Sequence, residues 1–520
     1  MTIGERIQVL RTSKGFSIED LAEQLEVSPQ KISEWETDNS SVDTEKAIAL
    51  SRILGVTTDF LLTGEYNNPE LSSGKIVYNN GKTIQGAEPA MSDAQVEGDE
   101  PEEEKKKFKL PDWRILVALA LVVCIIIALV AVAFSGKKEE PVTEEQPVKY
   151  TYVLVHGMGG WGEGSAMNEA SPYWGSSAGS ISEYLRTQEI QVVEATVGPF
   201  SSAWDRACEL YAQLTGTQVD YGEAHSKEHG HARFGRKYTE PLVEKWDDVY
   251  KVNLIGHSFG GNTIRLMTSL LEYGSETEQK ASPKDCSPLF KGGKGGFVHS
   301  VTTLASPHNG STIYYCLDFG NLMELTLKTI YGVGSISRPD LIDFQLEHFG
   351  IASGNYDTDV LVGGTFGEGK DNAFYDLSPH GAKELNEDIK LVDSVYYFSY
   401  AYCTTAETTV FKNHVPTRDT LAVLLVPAGM IGAYTNKSAN AQVVIDEKWW
   451  PNDGLVNVIS AQYPTDDKHV DYVADGDIKS GQWYVFPTIT GDHGTPIGMN
   501  GNTESMQKFY MDHITIVDNL

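Results

Sequence analysis

One short stretch of the chain constrains its fold more than any other. An apolar run at residues 252–255 leads directly into Gly-His-Ser-Phe-Gly at residues 256–260, and a helix-compatible run follows from Thr263. The two glycines allow the backbone to bend sharply, so that the hydroxyl of Ser258 would project beyond the end of a sheet. The order strand, tight turn and helix is typical of a nucleophile elbow.

The pentapeptide pattern is weak by itself, because a second copy occurs at residues 175–179. No apolar run precedes that copy, and its surroundings are rich in Ser, Gly and Tyr, which indicates a loop. Only Ser258 therefore has the context that a nucleophile requires. The alternative for Ser258 is an ordinary strand-to-helix turn that contains a serine by chance.

Two downstream segments provide an acid and a base in the chain order Ser, Asp, His that such hydrolases require. Asp453 lies in a turn between apolar segments, and His493 lies in a glycine-flanked loop after an apolar run. Asp453 is also compatible with a plain Asp-Gly turn, and Asp512 with His513 is a competing pair. We favour His493, because His513 lies within a predicted terminal helix or strand.

A glycine-rich turn follows the strand predicted over residues 152–155. In hydrolases with a nucleophile elbow, such a turn supplies one backbone N–H of the oxyanion hole. The residue after the serine, here Phe259, supplies the other. All the parts occur in the expected order, so the sequence indicates a serine hydrolase.

Four further segments carry a family resemblance. They are residues 201–209, with Ser-Ala-Trp-Asp-Arg; a histidine-rich block at 219–236; residues 304–310, with Ser-Pro-His-Asn-Gly; and Tyr-Asp-Leu-Ser at 375–378. From residue 150 to 520 the chain resembles the large lipases of thermophilic bacilli and staphylococci. The resemblance implies an α/β-hydrolase fold that acts on triacylglycerols or other carboxylic esters, with Ser258, Asp453 and His493 as its triad.

The resemblance also places the oxyanion donors at Met158 and Phe259, where the family usually has phenylalanine and glutamine. Because the donors are backbone N–H groups, these departures should alter acyl-chain contacts more than chemistry. The segment 317–331 corresponds to the family's lid helix, although its apolar periodicity fits a buried core helix equally well.

A zinc site is the second implication of the resemblance. Three histidines within seven residues are, from spacing alone, more often an exposed polar loop than a metal site. The family's ligand positions fall on Asp205, His225, His231 and Asp371, and all four side chains can bind zinc in a closed tetrahedron. The resemblance therefore implies a structural zinc ion, with His229 not a ligand.

The same lipases hold a calcium ion near the catalytic histidine. The matching positions here are Asp419, Thr495, Asn500 and Gly501. Calcium usually takes at least one or two carboxylates, and only Asp419 is acidic. The sequence thus gives the calcium site weak support.

Residues 1–65 read as a separate all-α unit. Ser17 and Ser28 are candidate N-caps of two helices joined by a short turn. The segment resembles the Cro/C1-type helix-turn-helix of phage repressors. Gln30, Lys31 and Ser33 would then face the DNA groove.

Charge argues against strong DNA binding by this unit. Residues 1–65 contain six Lys and Arg against twelve Asp and Glu, whereas phosphate contacts require a basic face. Glu34 and Glu36 even lie on the predicted recognition helix. DNA and a cytoplasmic protein therefore both remain candidate partners of the domain.

The region between the two units has three predicted parts. Residues 66–112 form an acidic, disordered linker, residues 113–135 a transmembrane helix, and residues 136–149 a second linker. Five basic residues at 105–114 precede the uncharged stretch 115–134, against two after it, which predicts a cytoplasmic N-terminus. The expectation is a single-pass protein of the cell membrane with its hydrolase domain outside the cytoplasm.

Composition narrows the remaining possibilities. A net charge of −31 disfavours general affinity for nucleic acid or anionic lipid, and five cysteines without a pairing pattern do not indicate a disulfide framework. The main hypothesis is a membrane-tethered ester hydrolase fused to a helix-turn-helix domain. The alternative is a transmembrane scaffold or sensor whose hydrolase-like domain only binds a ligand.

Overall fold

A computed structural model divides the chain into two units, Met1–Lys137 and Lys138–Leu520. The described residues are 3, 4, 7, 11, 16–25, 27–37, 40, 42, 46, 47, 49 and 50 of the first unit, and 150–317, 320–322, 326, 343–352, 364–474, 476–499 and 501–520 of the second. Both predicted linkers, at 66–112 and 136–149, lie outside these residues.

The first unit contains two helices joined by a short turn, α1 (Ile18–Gln24) and α2 (Pro29–Glu36). The Ser28 hydroxyl accepts a hydrogen bond from the N–H of Lys31, and the Ser17 hydroxyl accepts one from the N–H of Asp20. Both predicted N-caps are therefore confirmed. Apolar side chains of the two helices share a small core, namely Leu21, Ala22, Leu25, Ile32 and Trp35.

The second unit is an α/β domain. Its strands are β1 (Thr151–Val155), β2 (Val192–Ala195), β3 (Gln218–Asp220), β4 (Phe234–Lys237), β5 (Val252–His257), β6 (Val298–Leu304), β7 (Tyr396–Tyr400), β8 (Tyr402–Cys403), β9 (Thr405–Glu407), β10 (His414–Pro416), β11 (His469–Asp471), β12 (Trp483–Val485) and β13 (Ile489–Thr490). Its described helices are α3 (Ala166–Ala170), α4 (Ile181–Thr187), α5 (Ala203–Thr215), α6 (Glu223–His229), α7 (Phe259–Tyr273), α8 (Glu276–Ala281), α9 (Ile313–Cys316), α10 (Gly364–Glu368), α11 (Ala373–Asp376), α12 (Pro379–Asp388), α13 (Leu425–Ile431), α14 (Val458–Gln462) and α15 (Thr503–Asp518).

Seven strands form a parallel sheet in the order β11-β12-β7-β6-β5-β1-β2. Strand β5 lies in the interior of the sheet and pairs with β1 on one side and β6 on the other, and all six of its residues are buried. Because parallel strands end at the same edge, the loops after β5 and β1 can meet near the carboxyl ends of the strands.

Successive side chains of β1 enter two different apolar cores, one on each face of the sheet, and helices cover both. Tyr152 and Leu154 belong to one apolar core, which includes side chains of α4 and α15. Val153 and Val155 belong to the other, which includes side chains of α5 and α7. Since successive side chains of a strand point to opposite faces, an unbroken apolar strand is the pattern expected of a sheet buried on both faces.

The predicted transmembrane helix over residues 113–135 lies outside the described residues. Within the part of the chain that the structure describes, no helix is long and apolar enough to cross a membrane. The longest of the described helices, α15, has 16 residues. A membrane span requires about 20. The predicted fold class with one transmembrane helix, and the predicted single-pass location in the cell membrane, are therefore corrected to an α/β domain with a helix-turn-helix domain.

Close packing of α7 against β1 leads to the first prediction. A Cβ atom on Gly260 would lie 2.0 Å from the carbonyl oxygen of Val155, so Gly260→Ala must push the helix away from the sheet. We expect a loss of about 3 kcal/mol in the free energy of unfolding, measured by urea denaturation. The control is Gly296→Ala, whose Cβ would meet no atom within 4 Å. Equal stability of the two variants would contradict the packing argument.

Candidate active site and metal centre

The predicted elbow lies between β5 and α7. Ser258 has φ 53° and ψ −128°. Non-glycine residues rarely adopt this conformation. The N–H of Ser258 donates to the carbonyl of Leu304, which ties the turn to β6. A Cβ on Gly256 would lie 2.5 Å from the main chain of Gly260 and Gly261, so the pentapeptide needs a glycine at this position to close the turn.

The three residues predicted as a triad are brought together in the structure. His493 Nε2 lies 2.9 Å from Ser258 Oγ, and His493 Nδ1 lies 2.9 Å from Asp453 Oδ2. The other oxygen of the Asp453 carboxylate accepts the N–H groups of Leu455 and Val456 at 3.0 and 2.7 Å. Asp453 is fully buried, and these hydrogen bonds hold its carboxylate in one orientation.

The competing candidates Ser177 and His513 have hydrogen-bond partners outside the proposed triad. The Ser177 hydroxyl donates to the carbonyl oxygens of Gly498 and Met499 at 3.1 Å, and not to an imidazole. His513 lies in α15 with one ring nitrogen 2.7 Å from Thr302 Oγ1 and the other 3.0 Å from the hydroxyl of Tyr400. Burial lowers the pKa of His513 to about 3, which is unsuitable for a general base at neutral pH.

The glycine-rich turn after β1 lies against the nucleophile. A Cβ on Gly157 would be 2.7 Å from Ser258 Cβ, so the turn that carries Met158 passes directly beside the serine. Phe259 begins α7 and is fully buried. Both residues predicted as oxyanion donors are thus adjacent to Ser258, one in sequence and one across the turn.

A buried arginine that the sequence analysis missed supports this turn. Arg206 donates to the carbonyls of His156 and Gly198 and to the hydroxyl of Thr263, and its guanidinium lies 5.0 Å from the ring centre of Phe259. Burial lowers its pKa to about 10, so it stays charged at neutral pH. Its position next to Asp205 is a sequence signal, but its partners come from distant segments.

An apolar cavity of about 120 Å³ opens beside the serine. Its walls include side chains from several loops and helices, among them Trp161, Ile313, Tyr314, Leu322, Val456 and Ile497. Leu322 and Thr326, which line the cavity, belong to the segment predicted as a lid or core helix. The lining suits an alkyl or acyl group better than a charged one.

A second cluster lies at the histidine-rich block. One ligand atom from each of Asp205, His225, His231 and Asp371 lies within 4.8 Å of the others. Nitrogen–oxygen distances between the rings and the carboxylates are 3.1–3.3 Å. In each of the four side chains, one buried nitrogen or oxygen facing the others has no hydrogen-bond partner in the described structure. The buried cluster contradicts the alternative of an exposed polar loop.

Electrostatics at this cluster favour a cation. Burial by itself would lower the pKa of His225, yet the carboxylates of Asp205 and Asp371 raise it well above its usual value. Two buried carboxylates so close together need positive charge between them. Two carboxylates and two imidazoles are also a donor set that zinc accepts, so the residues fit this metal.

Two neighbours complete the cluster. His348, which the sequence analysis missed, lies with Nε2 2.9 Å from the second oxygen of Asp205. Trp204 stacks on the ring of His225 at 5.1 Å. His229 is not part of the four-residue group. No short motif links His348 to Asp205, so only the folded chain reveals it.

The residues predicted to bind calcium are Asp419, Thr495, Asn500 and Gly501. Asp419 is largely exposed and lies 3.8 Å from Arg418. The Thr495 hydroxyl accepts the N–H of Asp492 and donates to the Asp492 carboxylate. Gly501 is exposed, and Asn500 lies outside the described residues. Asp419 and Thr495 thus contact protein groups, and these contacts need no cation.

The predicted recognition helix α2 presents Gln30 and Ser33 to solvent, whereas Lys31 is half-buried and lies 3.2 Å from Glu34. Glu36, by contrast, is buried and forms a two-pronged ion pair with Arg11 at 2.5 and 3.0 Å. Of the two acidic residues on the predicted recognition helix, Glu36 is therefore paired inside the domain and adds no exposed negative charge.

Comparison with known proteins covers both units. Residues 148–518 match the family model described as the C-terminal domain of lipase-like proteins, and residues 7–61 match a helix-turn-helix model. A lipase of Staphylococcus hyicus is 35% identical over 361 residues, which are 67% of this chain and 54% of that protein. Lipase 1 of Staphylococcus aureus is 31% identical over 69% of this chain and 53% of its own length. The chain thus spans about half the length of these relatives.

Two solved structures are also similar. EstA from Clostridium botulinum is 37% identical with a TM-score of 0.66, covering 72% of this chain and 88% of EstA. The Staphylococcus hyicus lipase structure is 31% identical with a TM-score of 0.61, covering 72% of this chain and 98% of the other.

Proposed function

Since the chain belongs to the lipase-like family over residues 148–518, we propose that it is a carboxylic ester hydrolase of the lipase type. The bridging position of His493, 2.9 Å from both Ser258 Oγ and Asp453 Oδ2, is the observation that carries the proposal. The apolar cavity beside Ser258 supports an acyl substrate.

The proposed reaction uses these residues in two steps. Ser258 Oγ bonds to the ester carbonyl carbon while His493 Nε2 takes the hydroxyl proton, and Asp453 stabilises the resulting imidazolium. The N–H groups of Met158 and Phe259 hold the oxyanion. The alcohol leaves with the proton from His493. Water then gives a proton to His493 and attacks the acyl carbon; the bond from this carbon to Ser258 Oγ breaks, His493 returns the proton to Oγ, and the carboxylic acid leaves.

The first test of this function is Ser258→Ala. We expect at least a roughly 10⁴-fold loss of turnover of p-nitrophenyl esters by the purified chain, because the nucleophile is removed. Ser177→Ala, in the second pentapeptide, should keep full activity. An inactive wild-type chain that nevertheless binds fatty acids would favour the scaffold or sensor alternative, and an active Ser258→Ala would overturn the assignment of the nucleophile.

We also propose that Asp205, His225, His231 and Asp371 hold one zinc ion. Bound zinc would neutralise the two carboxylates and leave no open position for a catalytic water. The four residues come from α5, α6, the loop after α6 and the loop before α11, so the ion would clamp the histidine-rich block to the domain. The proposal rests on the four converging atoms without other partners.

Elemental analysis tests the zinc proposal. We expect about one zinc per chain, and a small fraction of that in the double variant His225→Ala with His231→Ala. His229→Ala should keep its zinc. Chelation should lower the melting temperature before it slows ester hydrolysis, because the ion supports the fold and not the chemistry. Zinc-free wild-type protein, or unchanged content in the double variant, would contradict the site.

For the N-terminal unit we propose that α2 contacts DNA weakly. The exposed side chains of Gln30 and Ser33 and the neutralised Glu36 support contact, while the bond between Lys31 and Glu34 limits it. Its small number of basic residues leaves few phosphate contacts.

Fluorescence anisotropy with a 30-base-pair duplex tests this proposal. We expect binding only at low salt, and several-fold tighter binding by Glu34→Gln, because Lys31 is then free for phosphate. Glu504→Gln makes the same charge change at an exposed position of α15 and should have no effect. Tight binding at physiological salt would contradict the charge argument. If no duplex binds at low salt, the DNA proposal fails and a protein partner becomes the favoured alternative.

A further inference from the structure

His257, the residue before the nucleophile, uses both ring nitrogens within the site. It ends β5 and is only 2% exposed. Its Nε2 lies 2.9 Å from the carbonyl oxygen of His493, and its Nδ1 lies 2.6 Å from the hydroxyl of Tyr173. The proposed reaction assigns no role to either His257 or Tyr173.

The partners determine which nitrogen carries the hydrogen. A carbonyl oxygen can only accept, so His257 Nε2 must donate to His493. Nδ1 is then unprotonated in a neutral ring and accepts the O–H of Tyr173. The Tyr173 oxygen in turn accepts the N–H of Gly157 at 2.9 Å. Every donor has one acceptor, and the chain of hydrogen bonds runs in one direction.

Electrostatics agree with this arrangement. Burial, together with the neighbouring imidazole of His493, lowers the pKa of His257 well below its usual value. The ring therefore stays neutral, as an unprotonated Nδ1 requires. Because Ser258 directly follows His257, a displacement of the backbone at Ser258 also displaces this ring.

Two hydrogen bonds hold the backbone of His493, and His257 provides one of them. The N–H of His493 donates to the carbonyl of Asp453 at 2.8 Å, and its carbonyl accepts from His257. The first hydrogen bond connects the backbone of His493 to Asp453, the acid of the proposed triad. The second connects it to His257, the residue before the nucleophile Ser258. The loop that carries His493 is a turn with no long helix or strand of its own to fix it.

We propose that His257 is a positioning residue that, with Tyr173, connects the oxyanion turn at Gly157 to the backbone of His493. The proposal rests on the ester hydrolysis proposed above. It predicts that loss of the bond to His493 misplaces the imidazole relative to Ser258. Misplacement of about 1 Å at a reacting group lowers the rate by roughly 10²-fold.

Two substitutions of His257 distinguish its hydrogen bond to His493 from its hydrogen bond to Tyr173. His257→Asn keeps an acceptor near the Nδ1 position but loses the donor to His493, whereas His257→Gln can place an N–H near the Nε2 position. We expect His257→Asn to lower kcat for a p-nitrophenyl ester by about 10²-fold and His257→Gln by less than about 10-fold, with KM within roughly threefold of wild type. Tyr173→Phe removes a single hydroxyl and should lower kcat by less than His257→Asn does.

The matched control is His513→Asn, since His513 is equally buried and has both ring nitrogens bonded outside the site. It should lose stability and keep kcat per active enzyme, with active chains counted by reaction of Ser258 with a fluorophosphonate. If His257→Asn behaves in the same way, or if His257→Gln is as slow as His257→Asn, the positioning role is overturned. Should His257→Asn not fold, the kcat of Tyr173→Phe decides, and a value equal to wild type overturns the proposal.

A second measurement does not depend on turnover. The ¹⁵N resonances of His257, assigned by comparison with His257→Gln, should report a neutral ring with its hydrogen on Nε2 at pH 7. A hydrogen on Nδ1, or a charged ring, would overturn the chain of hydrogen bonds. An inactive wild-type protein with the expected tautomer would instead show that the proposed function, and not this hydrogen-bond chain, had failed.

Discussion

The unusual backbone of Ser258 depends on the pairing of β5 with β1 and β6. Ser258 has φ 53° and ψ −128°. A non-glycine residue in such a conformation carries strain of about 1–3 kcal/mol, which persists only where the surroundings impose it. Here the surroundings are a fully buried central strand, a hydrogen bond from the Ser258 N–H to β6, and glycines packed against the main chain. The proposed oxyanion turn and the His493 loop are both placed relative to this rigid turn.

Helix α5 links the proposed metal centre to the proposed active site. Asp205 faces His225 and Asp371, while the next residue, Arg206, holds the carbonyls of His156 and Gly198 beside the glycine-rich turn. A shift of α5 would therefore disturb both places. This arrangement gives a physical reason why a metal that takes no part in the chemistry would still stabilise the geometry of the oxyanion turn.

In the helix-turn-helix domain, a count of charges does not tell which of them stay exposed. Twelve acidic and six basic residues suggest repulsion from DNA, but Glu36 is buried against Arg11 and contributes no net charge to the surface of α2. Lys31 is held by Glu34 at the same time. The charges that matter for a partner are those left exposed after folding, and the sequence does not distinguish them.

The sequence by itself determined the elements and the order of the candidate residues. Local patterns suffice for this, because the apolar strand before Ser258, the glycines around it and the caps at Ser17 and Ser28 act within a few residues. Patterns of this kind also predicted a transmembrane helix, which the described structure does not support. The tertiary structure alone decided that His493 and not His513 faces Ser258, and that one ring nitrogen of His225 and one of His231 are buried against Asp205 and Asp371. It also brought His348 to Asp205, Arg206 to the glycine-rich turn, and His257 to the backbone of His493. These contacts join residues up to 236 positions apart, and hydrogen bonds over such separations leave no periodic trace in the sequence.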